Sequence, residues 1–533
     1  MVMEVKGVIF FVTFLLPLLG PTRSGDVEKI ADFGPSVKRE QVEGKDGVSK
    51  GSEKKDGFIS KETAEKLHIL YGGIGPVLNP PGLSPMNPLP MSEPQETHKS
   101  VYRKTRGTRN VKRESKTEGT ERNKPEQIHI SYGETPAEMT VMWSTPLQGS
   151  SEVLYGKSRH KLDKHTEGDS TIFNLMNPQG LQYIHRVTLM GLTPDQKYYY
   201  LVKTGSEKSE ILHFKTMKAG YDWSPTLLIF GDMGVVGGAP SLRILNKAAR
   251  NGSIDAIIHV GDFAYDLHDE GGKVGDDFMN RIQYVASRIP YMTCVGNHEI
   301  AGGTFSHYRY RFSMPGVVWP APISQLWYSF NMGLVHFISY STEVHFTDGP
   351  VEEQLKWLRQ DLNEANANRD KRPWVIAFGH RPMYCSNNDR DDCTKLNSVV
   401  REGFENLFYD AGVDIIIEAH EHSYERFWPM YQGKVSGKNY RNPQAPVHII
   451  GGAAGCNEFD KVCVNPIFGP KGPWSAFRSW LPGLYGVGKL FAANATHLHW
   501  QQLLAVNSQT LDQFWIEQHH HGPFPHQDTG RLM

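Results

Sequence analysis

The sequence predicts a multidomain fold in which an antiparallel β-sandwich is followed by an α/β domain. Between residues 125 and 218, short segments of alternating apolar and polar residues are separated by turn residues, which is typical of antiparallel strands. After Trp223 the strand-like segments become unbroken apolar runs with helix-like stretches between them. This second pattern indicates strands that are covered on both faces.

Length, charge and composition limit the possible functions. The chain has 533 residues, and 57 Lys and Arg residues against 58 Asp and Glu residues give a formal net charge of −1. This balance argues against a protein that binds nucleic acid through a basic face. The 23 His residues against 5 Cys residues favour nitrogen and oxygen ligands for any bound metal.

Residues 1–24 are interpreted as a signal peptide. Lys6 precedes an apolar run from Val8 to Leu19, and small and polar residues follow up to Ser24. About twelve apolar residues cannot cross a bilayer core of roughly 30 Å as a helix. We therefore expect a protein without a membrane anchor after cleavage, secreted or in the lumen of the secretory or lysosomal pathway. The alternative is a buried N-terminal strand or helix.

Two further features fit a secretory compartment. Asn251 and Asn494 begin glycosylation sequons. We interpret the close pairs of Cys residues as disulfides and Cys294 as a free, buried thiol, with five reduced thiols as the alternative. The two predicted pairs are Cys385 with Cys393 and Cys456 with Cys463.

Both ends of the folded region are predicted to lack a packed structure. Residues 25–124 are rich in Lys, Glu, Gly and Ser, and they contain seven Pro residues between Pro76 and Pro94. Such a segment buries too little apolar surface to offset its conformational entropy, so we expect a disordered or removable extension. Residues 518–533, with their run of three His residues, are expected to form a mobile tail.

Residues 224–517 are predicted to form a central α/β sheet with helices on both sides. Ligand sites in such sheets collect at the carboxyl ends of the strands. Directly after five of the apolar runs come turns that carry one or two possible metal ligands. These turns are Gly231-Asp232-Met233-Gly234, Gly261-Asp262-Phe263-Ala264-Tyr265, Gly296-Asn297-His298-Glu299, Gly379-His380 and Ala419-His420-Glu421-His422. Five such turns at strand ends predict one shared site.

The number of ligands indicates two metal ions. The candidates are Asp232, Asp262, Tyr265, Asn297, His380, His420 and His422. Seven ligands are too many for one tetrahedral ion. Asp262 is the predicted bridge, because one carboxylate can contact both ions of a pair held roughly 3.5–4 Å apart. His420 and His422 share a face of an extended segment, so each imidazole can serve one ion.

These ordered motifs resemble those of metallophosphoesterases, and specifically those of purple acid phosphatases. In that family the order is Asp-x-Gly, Gly-Asp-x-x-Tyr, Gly-Asn-His-Glu, a His after a strand, and His-x-His. The match at Tyr265 is the mark that distinguishes the family within its superfamily. The resemblance covers residues 125–517. It implies a fibronectin-III-like sandwich at 125–218 and a metallophosphoesterase domain of mixed sheets sandwiched with helices.

The resemblance also implies the metals and the reaction. It places Fe(III) on Asp232, Asp262, Tyr265 and His422, and a divalent ion (Zn, or Fe(II) or Mn) on Asp262, Asn297, His380 and His420. It implies an acid phosphatase that hydrolyses small phosphate monoesters by attack of metal-bound hydroxide, as a monomer or homodimer. His298, next to a ligand, is the candidate catalytic residue, because it can bind phosphate or protonate the leaving group.

One departure from the family leaves a role unassigned. Plant members carry another His about ten residues after the position of His380, assigned to protonate the leaving group, but the segment from Cys385 to Cys393 contains no His. Two alternatives to the phosphatase remain. One is a phosphodiesterase or nucleotide pyrophosphatase on the same metal framework, and the other is a non-catalytic adhesive binding protein.

Overall fold

The computed structural model describes residues 4–5, 8–9, 123–174, 177, 180–388, 390–456, 470–479 and 484–525. The chain divides into two units, residues 1–112 and 113–533. In the first unit, the described residues form β1 (Glu4–Val5) and β2 (Val8–Ile9), which pair antiparallel. The rest of the predicted signal peptide and almost all of the predicted extension lie outside the described residues, so both stay predictions.

The N-terminal domain consists of two antiparallel sheets. Its strands are β3 (Glu126–Tyr132), β4 (Met139–Thr145), β5 (Glu152–Gly156), β6 (Lys164–Glu167), β7 (Asp169–Phe173), β8 (Gln182–Leu189), β9 (Lys197–Thr204), β10 (Glu207–Lys208) and β11 (Leu212–Lys215). One sheet has the order β3-β4-β8-β7, and the other has the order β10-β9-β5-β6 with β11 also paired to β9. Trp143 joins the two sheets, since its Nε1 donates to Thr204 Oγ1 at 2.9 Å. The predicted antiparallel sandwich is confirmed.

The α/β domain contains two mixed sheets instead of the single central sheet predicted from its apolar runs. Its strands are β12 (Thr226–Phe230), β13 (Ala256–Val260), β14 (Tyr291–Cys294), β15 (Tyr328–Met332), β16 (Val335–Ser339), β17 (Trp374–Phe378), β18 (Ile415–Glu418), β19 (Tyr424–Phe427), β20 (Met430–Tyr431), β21 (Lys434–Val435), β22 (Val447–Gly451), β23 (Ser475–Arg478), β24 (Gly486–Ala492), β25 (His497–Leu504) and β26 (Thr510–Glu517). The sheet orders are β14-β13-β12-β24-β25-β26 and β15-β16-β17-β18-β22-β19-β23, and β20 pairs with β21. The mixed sheets that the resemblance implied are therefore confirmed. The apolar runs alone suggested one central sheet, because burial on both faces does not show which runs pair.

The parallel strand pairs place their carboxyl ends at shared edges. In the first sheet β12, β13 and β14 run parallel, and in the second sheet β16, β17, β18 and β22 do so.

Among the described residues of this domain, the α-helices are α1 (Ala239–Asn251), α2 (Lys273–Ala286), α3 (Ser306–Arg311), α4 (Val351–Asn366) and α5 (Val399–Asp410). The mixed α/β class expected from alternating strands and helices is therefore confirmed. Residues of both sheets pack into one apolar core.

A buried polar network joins the N-terminal domain to the α/β domain. The guanidinium of Arg311 in α3 donates to Gln127 Oε1 and to Asp276 Oδ1, each at 2.8 Å. Gln127 also donates to the Asp276 carboxylate at 3.0 Å. Because Arg311 is almost completely buried, the ion pair with Asp276 offsets the cost of removing its charge from water.

Residues 518–525 pack against the α/β domain, so the predicted mobile tail was wrong for this part. His521 Nδ1 lies 3.2 Å from Asp414 Oδ1, and His521 Nε2 lies 2.8 Å from the Ala495 carbonyl oxygen. Phe524 is buried beside Tyr409. These contacts involve residues distant in sequence, which periodicity after the last strand cannot reveal. Residues 526–533 lie outside the described part.

The described residues include four of the five Cys residues and both predicted glycosylation sites. Cys385 and Cys393 form a disulfide, and Cys294 is free and buried. Cys463 lies outside the described residues, so its bond to Cys456 stays a prediction. Asn251 and Asn494 are exposed, as glycan acceptors must be, and their glycosylation stays a prediction. No helix within the described residues combines the length and apolar character needed to cross a membrane.

Candidate metal centre

The proposed ligands lie at the carboxyl ends of strands from both sheets. Asp232, Asp262 and Asn297 follow β12, β13 and β14 of the first sheet, whereas His380 and His420 follow β17 and β18 of the second. Side chains of the two sheets meet: His380 Nε2 lies 3.2 Å from Asp262 Oδ2. The site is therefore built where the two sheets converge, so neither sheet forms it alone.

One group of side chains contains Asp232, Tyr265 and His422. The Tyr265 hydroxyl donates to Asp232 Oδ1 at 3.1 Å and lies 3.0 Å from His422 Nε2. His422 Nε2 is 3.4 Å from Asp232 Oδ1. A carboxylate, a phenol oxygen and an imidazole thus converge around one point, and Asp232 is completely buried.

The second group contains Asp262, Asn297, His380 and His420. His380 Nε2 lies 3.0 Å from Asn297 Oδ1, and one ligand atom from each of Asp262, His380 and His420 lies within 4.8 Å of the others. The two groups adjoin, because the backbone N–H of His420 donates to Asp232 Oδ2 at 2.9 Å. The seven side chains predicted as ligands therefore form two neighbouring clusters.

Four of the seven predicted ligands have an unusual backbone conformation. Asp232, Asp262, Tyr265 and His420 have φ values of 60°, 53°, 54° and 65°. Non-glycine residues rarely adopt this left-handed region, and each costs roughly 1–3 kcal/mol unless the surroundings enforce it. Here a hydrogen bond joins the turns after β12 and β13, since the N–H of Asp232 donates to the Gly261 carbonyl at 3.2 Å. Such strain is concentrated at functional sites.

Glycine is required where the turns pass most closely. Gly296 precedes Asn297, and a Cβ atom at Gly296 would overlap the Asp262 carboxylate and stand 2.6 Å from the Asp262 nitrogen. The small residue therefore lets the turn after β14 approach the turn after β13, which brings Asn297 beside the Asp262 carboxylate.

Glu299 supports this approach, although the sequence analysis assigned it no role. Its buried carboxylate accepts hydrogen bonds from the backbone N–H groups of Asp262 at 2.8 Å, Phe263 at 3.1 Å and Gly296 at 2.8 Å. One side chain thus joins two ligand-bearing turns. In the sequence, the role of Glu299 was indicated only by its place in the Gly-Asn-His-Glu motif, directly after Asn297 and His298.

The buried charges strongly affect one another. Burial raises the pKa of Glu299 to about 8, and the negative charge of Asp262 acts in the same direction. Burial alone would lower the pKa of His380, but the Asp262 carboxylate raises it to about 10. Burial would raise the pKa of Asp262, yet His380 and His298 hold it well below its usual range. The Asp262 carboxylate is therefore kept ionised and attracts positive charge.

His380 is oriented by the nitrogen that faces away from the cluster. Its Nδ1 lies 2.9 Å from the carbonyl oxygen of Val260. Because a carbonyl oxygen only accepts hydrogen bonds, Nδ1 carries a proton, which leaves Nε2 as the nitrogen that a metal ion would bind in place of a proton. Nε2 is the atom that faces Asp262 and Asn297, as a metal-binding imidazole requires.

His298 lies beside the ligands. Its Nδ1 is 2.8 Å from Asp266 Oδ1, and its Nε2 is 3.8 Å from Asp262 Oδ2. Its ring makes an edge-to-face contact with the ring of Tyr265, with ring centroids 4.5 Å apart. The side chain is 20% exposed, so it can reach both solvent and the cluster.

Comparison with known proteins identifies the family. Three family models match: "Purple acid Phosphatase, N-terminal domain" at residues 125–216, "Calcineurin-like phosphoesterase" at 225–424, and "Iron/zinc purple acid phosphatase-like protein C" at 445–513. Acid phosphatase type 7 from Danio rerio is 45% identical over 424 residues, covering 75% of this chain and 92% of that protein. The chain belongs to the purple acid phosphatase family.

Further relatives agree with this assignment. Acid phosphatase type 7 from Homo sapiens is 43% identical over 412 residues, covering 74% of this chain and 90% of that protein. The structure of the purple acid phosphatase PPD1 from yellow lupin (Lupinus luteus) seeds has a TM-score of 0.63 at 25% identity and covers 75% of each chain. The resemblance predicted from the five motifs is confirmed, and the family implies a dinuclear metal centre.

Proposed function

We propose that this protein hydrolyses phosphate monoesters at a centre of Fe(III) and one divalent ion. The observation that carries the proposal is the convergence of seven oxygen and nitrogen ligands at five strand ends, with the Asp262 carboxylate beside the imidazoles of the second cluster. Relatives named acid phosphatase type 7, from fish and human, support phosphate monoesters as the substrate class.

The donor atoms fit two different ions. The cluster of Asp232, Tyr265 and His422 offers carboxylate and phenol oxygens, which suit a hard trivalent ion. The cluster of His380 and His420, with the Asn297 amide oxygen, suits Zn, Fe(II) or Mn. Asp262 would serve as the bridge. Thiolate ligands are absent from both clusters, so neither resembles a structural zinc site.

When bound, the two cations would supply the positive charge that polarises the phosphate ester and makes water acidic. The chain itself orients the reactants. Its turns hold the ligands rigidly, because the strained backbone at Asp232 and Asp262 is fixed by hydrogen bonds between the turns. Such preorganisation lowers the reorganisation needed during phosphoryl transfer.

His298 is the proposed catalytic residue of the chain. Asp266 accepts the Nδ1 proton, which orients the ring so that Nε2 faces the cluster. In its protonated form, Nε2–H can donate to a phosphate oxygen or pass its proton to the leaving alkoxide. An acidic medium increases the protonated fraction, which is consistent with an acid phosphatase.

The two alternatives are less well supported. The relatives named acid phosphatase do not favour the phosphodiesterase or nucleotide pyrophosphatase. A non-catalytic adhesive protein would have no need of seven ligands, four of them held in strained backbone.

Hydrolysis of p-nitrophenyl phosphate and of bis-p-nitrophenyl phosphate, measured across pH with metal analysis of the same sample, tests the proposal. We expect two metals per chain, one of them iron, and a higher kcat/KM for the monoester. A protein that holds fewer than two metals under saturating supply, or that prefers the diester, would contradict the proposal. His298→Ala should lower kcat by at least about 100-fold with metal content unchanged.

We also propose that the protein enters the secretory pathway. The signal-like residues 1–24 and the exposed sequons at Asn251 and Asn494 support this. N-terminal sequencing of the mature protein and its mass before and after deglycosylation would test the proposal. A mature chain that begins at Met1 and carries no glycan would refute it.

A further inference from the structure

The disulfide-closed loop after β17 brings a carboxylate to a metal ligand. The disulfide Cys385–Cys393 closes this loop, and within it Asp391 Oδ2 contacts Nε2 of His420. This is the segment in which the sequence analysis found no His. The loop therefore contributes an acidic side chain, Asp391, next to the second cluster.

The contact determines which nitrogen of His420 can bind a metal. An ionised carboxylate only accepts hydrogen bonds, and Asp391 lies nearer to Nε2 of His420 than the Arg381 guanidinium does, so Nε2 carries the proton and Nδ1 keeps the lone pair. His380 has the opposite arrangement, with its Nδ1 facing a backbone carbonyl and its Nε2 facing the cluster. Each imidazole is thus held through one nitrogen, which leaves the other for the proposed ion, and the two rings have different partners.

A second ion pair holds Asp391 in place. Nη1 of Arg381 lies 3.4 Å from Asp391 Oδ1 and 3.3 Å from His420 Nε2. Nε of Arg381 lies 3.1 Å from both carboxylate oxygens of Glu343, which is completely buried. The Arg381 guanidinium also stacks over the ring of Phe346 at 4.3 Å. A chain of charged groups therefore runs from the interior at Glu343 through Arg381 to Asp391 and His420.

Asp391 is also anchored through its own loop. Its carboxylate accepts a hydrogen bond from the N–H of Asp392 at 2.7 Å. Asp392 in turn accepts from the N–H groups of Val399 and Val400 at the start of α5. With the disulfide, these bonds limit how far the Asp391 carboxylate can move from the imidazole.

We propose that Asp391 is a positioning residue for the divalent ion. It accepts the Nε2 proton of His420 and so directs Nδ1 of that ring towards the ion, while Arg381 and Glu343 keep the carboxylate in place. The inference rests on the proposed dinuclear centre and adds a residue that none of the five motifs contains. Partners of this kind fix the ring orientation, and their loss costs about 10–100-fold in metal affinity.

Cobalt binding tests the proposal without relying on turnover. The full-length protein is freed of its divalent ion and titrated with Co²⁺, and the visible d–d spectrum and the Kd are recorded. Asp391→Ala should weaken Co²⁺ binding by about 10–100-fold and alter the spectrum, with iron content unchanged. Asp391→Asn keeps an acceptor oxygen but loses the charge, so its loss of affinity should be smaller.

The controls separate positioning from folding. Asp348→Ala removes an exposed aspartate from the segment between Glu343 and α4 and should leave the Kd unchanged. A Kd for Asp391→Ala within about twofold of the wild type, with the same cobalt spectrum, would overturn the proposal. Loss of iron together with Co²⁺ from both Asp391 variants would also overturn it, because it would show a general folding role. If the wild type itself bound no second ion, the proposed function would fail together with this inference.

Discussion

Replacing Glu299 with Gln is expected to destabilise the α/β domain and loosen the metal centre together. The Glu299 carboxylate is buried, and its two oxygens accept three backbone hydrogen bonds. Gln has nearly the same shape but only one acceptor oxygen. Its NH₂ group must therefore face at least one backbone N–H, and two donors cannot bond to each other.

The hydrogen bonds give the expected magnitude. In Glu299, Oε2 accepts from the N–H groups of Asp262 and Gly296, and Oε1 accepts from that of Phe263. The favourable orientation of the Gln amide places its oxygen at the Oε2 position, so the bond to Phe263 is lost. At a pH above the raised pKa of Glu299, about 8, a bond to its charged carboxylate contributes roughly 1.5–3 kcal/mol, and a bond to a neutral amide oxygen contributes roughly 0.5–1.5 kcal/mol. One bond is lost and two are weakened, so the free energy of unfolding should fall by about 4 kcal/mol. For a domain of this size, that lowers Tm by about 6 °C.

Differential scanning calorimetry of the metal-loaded protein, at a pH above the Glu299 pKa of about 8, measures this change, and chelator competition on the same sample measures metal affinity. Glu364→Gln is the matched control, because Glu364 is an exposed residue of α4, and its Tm should stay within about 1 °C of the wild type. If Glu299→Gln melted within about 1 °C of the wild type and kept both metals as tightly, the role of Glu299 in joining the two turns would be refuted.

Three further predictions concern the bridge, the phenol and a buried imidazole. Asp262→Ala should lose one or both metals together with activity, and a variant with two metals and near-normal turnover would end the dinuclear proposal. Tyr265→Phe should lose the visible charge-transfer colour of a phenolate on Fe(III) but keep iron and some hydrolysis, whereas a colourless wild type with Fe(III) shown to be bound would contradict the assignment. Burial lowers the pKa of His185 from 6.5 to about 4, so only the unfolded chain takes up a proton there as pH falls from 6.5 to 4. The free energy of unfolding should therefore fall by up to about 3 kcal/mol over that range, and calorimetry should show a weaker pH dependence for His185→Gln but not for the exposed His160→Gln.

The chemistry of the site could be predicted from sequence because it is encoded locally. A strand that is apolar throughout, followed by a tight turn and a ligand, is visible within ten residues, and this pattern found Asp232, Asp262, Asn297, His380 and His420. Each turn sits at a carboxyl end, where side chains of parallel strands meet. The antiparallel character of the N-terminal domain was visible for the same reason, as alternation in single strands.

One strand of the N-terminal domain could not be predicted from the pattern of its own residues. The strand β6 is polar and mostly exposed, so it carries no apolar alternation that a sequence pattern could detect. It forms because its backbone pairs with β5, and backbone hydrogen bonding does not depend on apolar side chains.

Other features were decided only by tertiary structure. Both sheets contribute ligands, yet the runs that build them look alike in sequence, so their division into two sheets could not be predicted. Glu299 binds the backbone of Asp262, 37 residues away, and Asp391 contacts His420, 29 residues away. His521 reaches Asp414 across 107 residues. Sequence periodicity reports which side of its own element a residue faces. Which buried charge meets which partner depends on how separate elements pack, and that information exists only in the folded chain.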